Sequence, residues 1–451
     1  MKNKCFFLLS FAFVSFYSNS QNAQWVSQST SFASARNIAS VSTVNSTIAW
    51  AAAMDPAGIK PVQDFTRTID GLKWTIGTVA TNGGPNKAAG LDVANIFALD
   101  ANTAWVSMFD NSATLGGGIF KTADGGTTWV KQISASFAAP NGTPNFVYFF
   151  DVNNGVCMGD SNTGYWEIYT TGNGGTNWTR VSSLNIPANL MGETGNTNTY
   201  SASGSSIWFG TSSGRIYRST DKGLTWSVSN TPYSLTSIVS AISFKDLNNG
   251  LAIADNGTSN SGIISTTNGG ASWVMENSGI TGGIDIKTGI AFLPGTTGTY
   301  FITGDGGIGS DGSAYSLDNG LTWTNIDVVP HIGISFAKSS PVGWSGSTNT
   351  SPTVGGIFKW TGIVITGIHS SSVSESLSIY PNPGNGNFNV QNSLIGKSVN
   401  IKVSNEIGKE IYSETFNSWN GILDLSSQPT GIYFLMIKSD DKIFNNKLII
   451  Q

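Results

Sequence analysis

The chain has 451 residues, of which 54 are Gly and only 11% are charged, with a formal net charge of −4. Short apolar runs separated by Ser, Thr, Asn and Gly predict an all-β chain dense in turns and exclude long helices. No basic stripe interrupts this pattern, so the phosphate-neutralising contacts that dominate nucleic-acid binding have no source and nucleic acid is not an expected partner.

The first element is an address. Lys2 and Lys4 precede an apolar run from Cys5 to Phe16, and Ser18-Asn19-Ser20 offers small residues for cleavage. That order predicts a secretory signal peptide over residues 1–20. The run is shorter than the roughly 20 apolar residues that a spanning helix needs. No later stretch is apolar enough, so no transmembrane span is expected. After processing Cys157 is the only cysteine left, and stability must come from burial across many strands without a disulfide.

Residues 21–365 repeat. Trp25, Trp74, Trp129, Trp178, Trp226, Trp273 and Trp323 lie 47 to 55 residues apart and each opens a short polar segment. That period fits a four-stranded propeller blade and not a helical repeat. The turn before the Trp is tightest in Thr122 to Trp129 (TADGGTTW). It is echoed by Thr171 to Trp178 (TGNGGTNW), Ser219 to Trp226 (STDKGLTW), Thr266 to Trp273 (TTNGGASW) and Ser316 to Trp323 (SLDNGLTW). Asp124, Asn173, Asp221, Asn268 and Asp318 are expected to accept backbone N–H groups of their own turn, with Gly supplying positive φ and Trp packing beneath. The copy at Asp70 is one residue short before Trp74. These turns resemble the Asp-box (BNR repeat) of sialidases, sortilin-type receptors and YCF48-like proteins, which implies a β-propeller.

Upstream of each box runs an apolar strand, a polar turn and a second strand, as in Phe146 to Asp160 (FVYFFDVNNGVCMGD) and Ala241 to Asp255 (AISFKDLNNGLAIAD). Seven such units give a seven-bladed propeller. Trp50, Trp105, Trp208, Tyr300 and Trp344 head the second strands and are expected in the core. The last unit stops after Gly356-Ile357-Phe358-Lys359-Trp360 without a fourth strand, whereas Trp25-Val26-Ser27-Gln28 resembles the fourth strand Trp129-Val130-Lys131-Gln132. The N-terminal strand is therefore expected to complete blade 7 and close the ring, which removes open sheet edges.

A Ser-rich link, residues 366–376, leads to a different text over 377–451. Tyr380-Pro381-Asn382-Pro383, Gly386-Asn387-Phe388, Val403 to Gly408, Pro429-Thr430-Gly431-Ile432-Tyr433 and Lys447 read as a small β-sandwich with turns at Asn-Pro-Gly and Pro-Thr-Gly. In this order the motifs are similar to the type A C-terminal sorting domain of the type IX (Por) secretion system of Bacteroidota. The resemblance implies partnership with that machinery and its sortase, passage through the periplasm, and removal of the domain on release or attachment at the outer cell surface.

Two His, His331 and His369, leave almost no material for His-based metal sites or Ser-His-Asp catalysis. His331 reads as a loop or strand-start residue, and Cys157, inside an apolar strand, as a structural thiol. The Asp-boxes invite comparison with sialidases, whose chemistry needs an arginine triad. The chain has Arg36, Arg67, Arg180, Arg215 and Arg218 alone, with Arg215 and Arg218 in a strand leading to a box. Carboxylates show more order. Asp55, Asp110, Asp160, Asp255 and Asp305 each end a second strand on the rim opposite the boxes, where they either cap their own turns or form a ring for sugar hydroxyls or a cation such as Ca²⁺. The long loop Ser182 to Asn198 is placed on the same rim, with Asn189 and Glu193 beside Tyr165 and Trp166 as a platform for carbohydrate or peptide. No catalytic residue, resident metal or other cofactor is assigned. The expectation is a secreted module that binds an extracellular glycan, peptide or protein, with a secreted glycoside hydrolase as the competing reading.

Overall fold

The structure, a computed structural model, describes residues 25–79, 90–110, 116–137, 142–161, 164–255, 262–276, 279–280, 288–305, 311–362, 378–391, 398–405, 409–419, 421–439 and 442–451. The signal peptide and the Ser-rich link lie outside them. The chain divides into two compact units, residues 1–364 and 365–451.

The first unit is a seven-bladed propeller of antiparallel four-stranded blades, to which blade 6 adds a fifth, parallel strand, Gly279–Ile280, outside its fourth. In blade 3 the strands run from the innermost, Pro144–Phe149, through Gly155–Ser161 and Trp166–Thr171 to the outermost, Thr179–Arg180. Blades 1, 2, 4, 5 and 6 repeat this order, with innermost strands Arg36–Thr43, Asp92–Ala98, Gly195–Ser203, Ile238–Phe244 and Gly289–Phe292. Blade 7 consists of Ile334–Phe336, Gly343–Ser351 and Val354–Trp360, and its outermost strand is Trp25–Ser29. Trp25 pairs with Trp360 and Ser29 with Gly356, so the N-terminal strand closes the ring as the repeat arithmetic requires. The second strand of blade 7 also runs on to pair with Arg36 and Asn37 of blade 1. Buried Asn349 fixes that join by accepting from the Arg36 amide and donating to Phe32 and Ser34 carbonyls.

Packing between blades explains the sequence repeat. Trp50, Trp105, Trp208, Tyr300 and Trp344 are all at most 1% exposed. Opposite three of these, Arg67, Lys121 and Lys359 lie about one ring away, 5.0–5.1 Å from the indole centres of Trp50, Trp105 and Trp344. Each cation then donates to a carbonyl of the next blade: Arg67 to Ala101, Lys121 to Gly174 and Lys359 to Gly71. The ring–cation contact and the carbonyl together replace the water lost when blades meet.

The box turns close as expected. Asp124 Oδ1 accepts the Thr128 amide at 2.9 Å, and Asn173, Asp221, Asn268 and Asp318 accept the corresponding amides of Asn177, Thr225, Ser272 and Thr322. Trp129, Trp178, Trp226, Trp273 and Trp323 are buried beneath. One box residue escaped the sequence reading. The Ser or Thr two positions before the acid donates to it and accepts the amide of the second Gly, as Thr122 does for Asp124 and Gly126. Gly126, at φ +85°, has no alternative, because a Cβ would stand 2.3 Å from the Phe65 ring of blade 1. Asp70 accepts instead from Leu72 and Lys73, the contracted geometry of a turn one residue short.

The second unit is a β-sandwich. A three-stranded sheet, Ser378–Tyr380, Asn387–Gln391 and Ile422–Asp424, packs on a four-stranded one built of Glu410–Phe416, Val399–Asn405, Gly431–Ser439 and Lys442–Ile450. Phe388, Ile401, Trp419, Leu435 and Leu448 form its core. Its motif residues are largely architectural. Asn382 donates to the Lys447 carbonyl and accepts the Ile449 amide, tying the Tyr380–Pro383 turn to the last strand. Buried Tyr433, two residues after Gly431, donates its hydroxyl to the Pro429 carbonyl at 2.7 Å.

Candidate functional site

The strand-end carboxylates whose side chains are described meet different partners. Asp160 is bound by the scaffold: Asn145 Nδ2 donates to it at 2.8 Å and the Gly195 amide at 2.7 Å, which ties blade 3 to blade 4. Burial pushes its carboxyl up, against those two donors. Asp55 caps its own turn by accepting the Ile59 and Lys60 amides at 2.9 and 3.0 Å. Asp305 pairs with Asp311 across a hairpin, and its carboxyl is pushed up by burial and then by the Asp311 charge. Asp255 ends the second strand of blade 5, and its side chain lies outside the described residues.

Asp110 lies close to another acid. It is buried beside Asp92, whose carboxyl is raised first by burial and then by the charges of Asp55 and Asp110, against a 2.7 Å bond from the Val62 amide. Asp92 opens an innermost strand instead of ending a second one, so the strand-end pattern could not select it. Among the described residues no group of three or more His, Cys, Asp or Glu is arranged to hold a metal ion.

The platform expected beside the long loop is also taken up by packing. Trp166 is fully buried, edge-on to Phe209 and Tyr217, which withdraws its ring from any ligand. Tyr165 is half-buried under the Arg180 guanidinium, 5.1 Å from its ring centre. Glu193 is 3% exposed and forms a two-pronged ion pair with Arg215, whose Nε donates at 3.0 Å. Glu193 also accepts from Thr211 Oγ1 at 2.6 Å and the Leu190 amide at 2.8 Å. Asn189 donates to the Leu190 carbonyl. The loop is thus locked on a buried charge pair. It ends earlier than expected, because the innermost strand of blade 4 starts at Gly195 and carries Asn198 into the channel.

The arginines are dispersed. Arg36 pairs with Asp64 at 2.8 Å, Arg180 with Glu167 at 3.0 Å and Arg215 with Glu193, while Arg67 and Arg218 lie against the next blade's box turn. They do not converge as a carboxylate-holding triad. His331 stands just before the innermost strand of blade 7 and is fully buried: Nδ1 contacts Ser345 Oγ at 2.5 Å and Nε2 contacts Asp327 Oδ2 at 3.2 Å. This has the membership of a catalytic triad, yet the ring is sealed under Trp25, 5.4 Å away, and acts as a joint between blades 6 and 7. Cys157 is fully buried, and burial pushes its thiol well up, away from nucleophilic character.

The main cavity is the propeller channel, about 860 Å³, lined by the innermost strands. Towards the rim where those strands start, Asn198 reaches from blade 4 to blades 1 and 2. Its Oδ1 accepts from Asn95 Nδ2 at 2.8 Å and its Nδ2 donates to the Ala39 carbonyl at 3.2 Å. A bulge between Gly195 and Tyr200 and a left-handed backbone at Asn198, φ +59°, project it there, a conformation that Asn tolerates better than most residues. Further along, Tyr148, Phe150, Tyr200, Phe292 and Phe336 line the wall, and Lys245 and Lys338 stand at the box rim. Among the described lining residues there is no Asp or Glu.

Solved structures similar to this chain include YCF48 bound to D1 peptide, 17% identical over 75% of this chain and 95% of that one with a TM-score of 0.47. YCF48 from Cyanidioschyzon merolae is 18% identical over 75% and 98%, TM-score 0.49. A GH74 xyloglucanase from Xanthomonas campestris is 11% identical over 94% and 75%, TM-score 0.48. Comparison with curated proteins finds no match. Residues 378–451 match the family model of the secretion system C-terminal sorting domain, so this propeller carries a type IX sorting domain that addresses it to the cell surface or the exterior.

Proposed function

We propose that the chain is an extracellular binding module: a propeller exported through the type IX machinery, parted from its sorting domain by the associated sortase, and recognising a glycan or a protein segment at its channel. The observation that carries this reading is how the acids are used. Asp160 and Glu193 are bonded into the scaffold, Asp55 caps its turn, and the described wall of the cavity has none. Within the propeller, only the carboxylates of Asp255 and Asp285 lie outside the described residues. Recognition by hydroxyls, aromatic faces and amines suits such a wall better than acid–base hydrolysis. A glycan array probed with the chain lacking residues 378–451 tests it, and failure to retain any glycan or extracellular protein ligand defeats it.

One observation favours the hydrolase reading. Asp92, with its raised carboxyl, faces Asp110, and a raised acid next to a second carboxylate is the pairing that glycosidases use. Release of reducing ends from a polysaccharide panel, abolished by Asp92→Asn and Asp110→Asn, would transfer the assignment to that pair.

A further inference from the structure

Lys338 is a cation in the channel that the scaffold does not use. It stands in the turn after the innermost strand of blade 7 and lines the cavity. Its amine lies 4.7 Å from the ring centre of Tyr148 in blade 3 and 5.8 Å from that of Phe97 in blade 2, well past its neighbours in the ring. Three other lysines towards this rim are committed: Lys121 and Lys359 donate to carbonyls of adjoining blades, and Lys245 to Asn319 and the Thr297 carbonyl. Among the described residues Lys338 meets only the two ring faces. Its residue remains accessible from the channel, yet contact with rings in place of water holds the amine below the ordinary lysine value. An anion arriving there restores the solvation of the charge.

The wall beside it is rich in donors. Ser201, Ser243 and Ser335 each line the cavity and accept an amide of the next blade, from Phe244, Phe292 and Thr43, at 2.9, 2.9 and 3.1 Å. One lone pair of each hydroxyl is spent on the fold, and its hydrogen is left to donate to a ligand. Amine, hydroxyl donors and the lack of acids on the described wall together select against cations and for a carboxylate. Hydroxyl groups interrupt the aromatic lining too often for an acyl chain, while Phe150, Tyr200, Phe292 and Phe336 offer the ring surfaces on which a pyranose face packs. The volume is that of an ordinary small-ligand site.

We propose that the channel takes a uronate-bearing oligosaccharide from the Asp-box rim, its carboxylate on the Lys338 amine, its hydroxyls on the serine row and a sugar face on the aromatic wall. Asn198 bars the other end. This specifies the ligand of the binding module proposed above and rests on that reading. The test is calorimetric titration of the full chain with tri-galacturonate, neutral galactotriose and decanoate. Tri-galacturonate is expected to bind at least about ten-fold more tightly than either comparison. Lys338→Met is expected to lose about ten-fold or more, and Lys338→Arg to keep binding within a few-fold. Absent uronate binding, equal binding of the neutral sugar, preference for decanoate, or a folded Lys338→Met with unchanged affinity each overturns it. If Lys338→Met fails to fold, the wild-type ligand comparison and Lys338→Arg still decide. An array that retains other ligands unaffected by Lys338 removes this inference and leaves the module standing; a silent array removes the module.

Discussion

Trp25 is the strongest test of ring closure, because one side chain holds both the packing and the polar joint. It is 9% exposed, within 5.1 Å of Trp360, 5.4 Å of His331 and 6.1 Å of Phe301, ring centre to ring centre. Its Nε1 donates to Ser313 Oγ at 3.0 Å, and that hydroxyl leads on to Asp327, His331 and Ser345. Truncating a buried indole costs about 3–5 kcal/mol. At the usual sensitivity of large domains, that lowers the melting midpoint by ~10 °C. Val26 is the internal control: it lies on the same strand but is 41% exposed, so Val26→Ala should change stability by no more than about 0.5 kcal/mol. Urea titration of Trp25→Ala, Val26→Ala and the parent chain reads both values. A loss below about 1 kcal/mol for Trp25→Ala, or equal losses for the two variants, would show that the N-terminal strand decorates the ring without closing it.

Breaking the loop lock should be costlier than its position on a rim suggests: Glu193→Gln leaves Arg215 buried without its charge partner, at about 3–5 kcal/mol, and the double variant Glu193→Gln, Arg215→Met should recover part of that in a denaturation cycle. The box acids should set the acid limb of stability. Hydrogen bonds from Thr128 hold Asp124 down to about 2, and the Lys73 and Leu72 amides hold Asp70 low, so their contribution is complete above the unfolded value near 4 and is lost as pH falls towards 2. Asp124→Asn, which copies the Asn already present at 173 and 268, should fold at pH 7 and lose less stability than the parent between pH 4 and pH 2; identical acid limbs would refute the assignment. Removing residues 378–451 should leave the melting midpoint of the propeller unchanged, since each unit has its own core, while export from a type IX host stops. The same segment fused behind a signal peptide to an inert fluorescent reporter should carry it outside the cell, and a reporter kept in the periplasm would contradict that role.

The propeller could be read from the sequence because its rules are local. A box needs Asp or Asn, Gly and Trp within eight residues, and blades 1 to 6 repeat the demand, in contracted form at Asp70, so the blade count and the missing fourth strand could be found by alignment of the chain with itself. The second sheet system was legible for a different reason, the resemblance of several separated motifs. Site chemistry resisted because its partners are distant in sequence. Whether Asp160 caps a turn or faces a ligand depends on the Gly195 amide, 35 residues on, and Glu193 is decided by Arg215 on another strand. Trp166 has the look of an exposed aromatic at a strand start until Phe209 and Tyr217 cover it. His331 is a loop residue whose burial could not be read locally, because the returning N-terminal strand places Trp25 above it from 306 positions away in the chain.

A closed ring of blades also explains why the channel, and not the strand-end rim, is the better place to look for recognition. Blades must be tied to their neighbours at every seam, and polar side chains at the seams do this by bonding across: Asp160 to Gly195, Ser201 to Phe244, Ser243 to Phe292, Lys121 to Gly174. A group used in this way is held by two blades and is not free to rearrange around a ligand. Innermost strands differ, because they converge on an axis where seven walls face one another across the channel, bridged at one end by Asn198. Groups aimed at the axis keep whatever bonding capacity the seams do not consume, namely hydroxyl hydrogens, ring faces and the amine of Lys338. Loss of binding without loss of stability is therefore expected from substitutions at axis-facing groups, and loss of stability first from those at the seams.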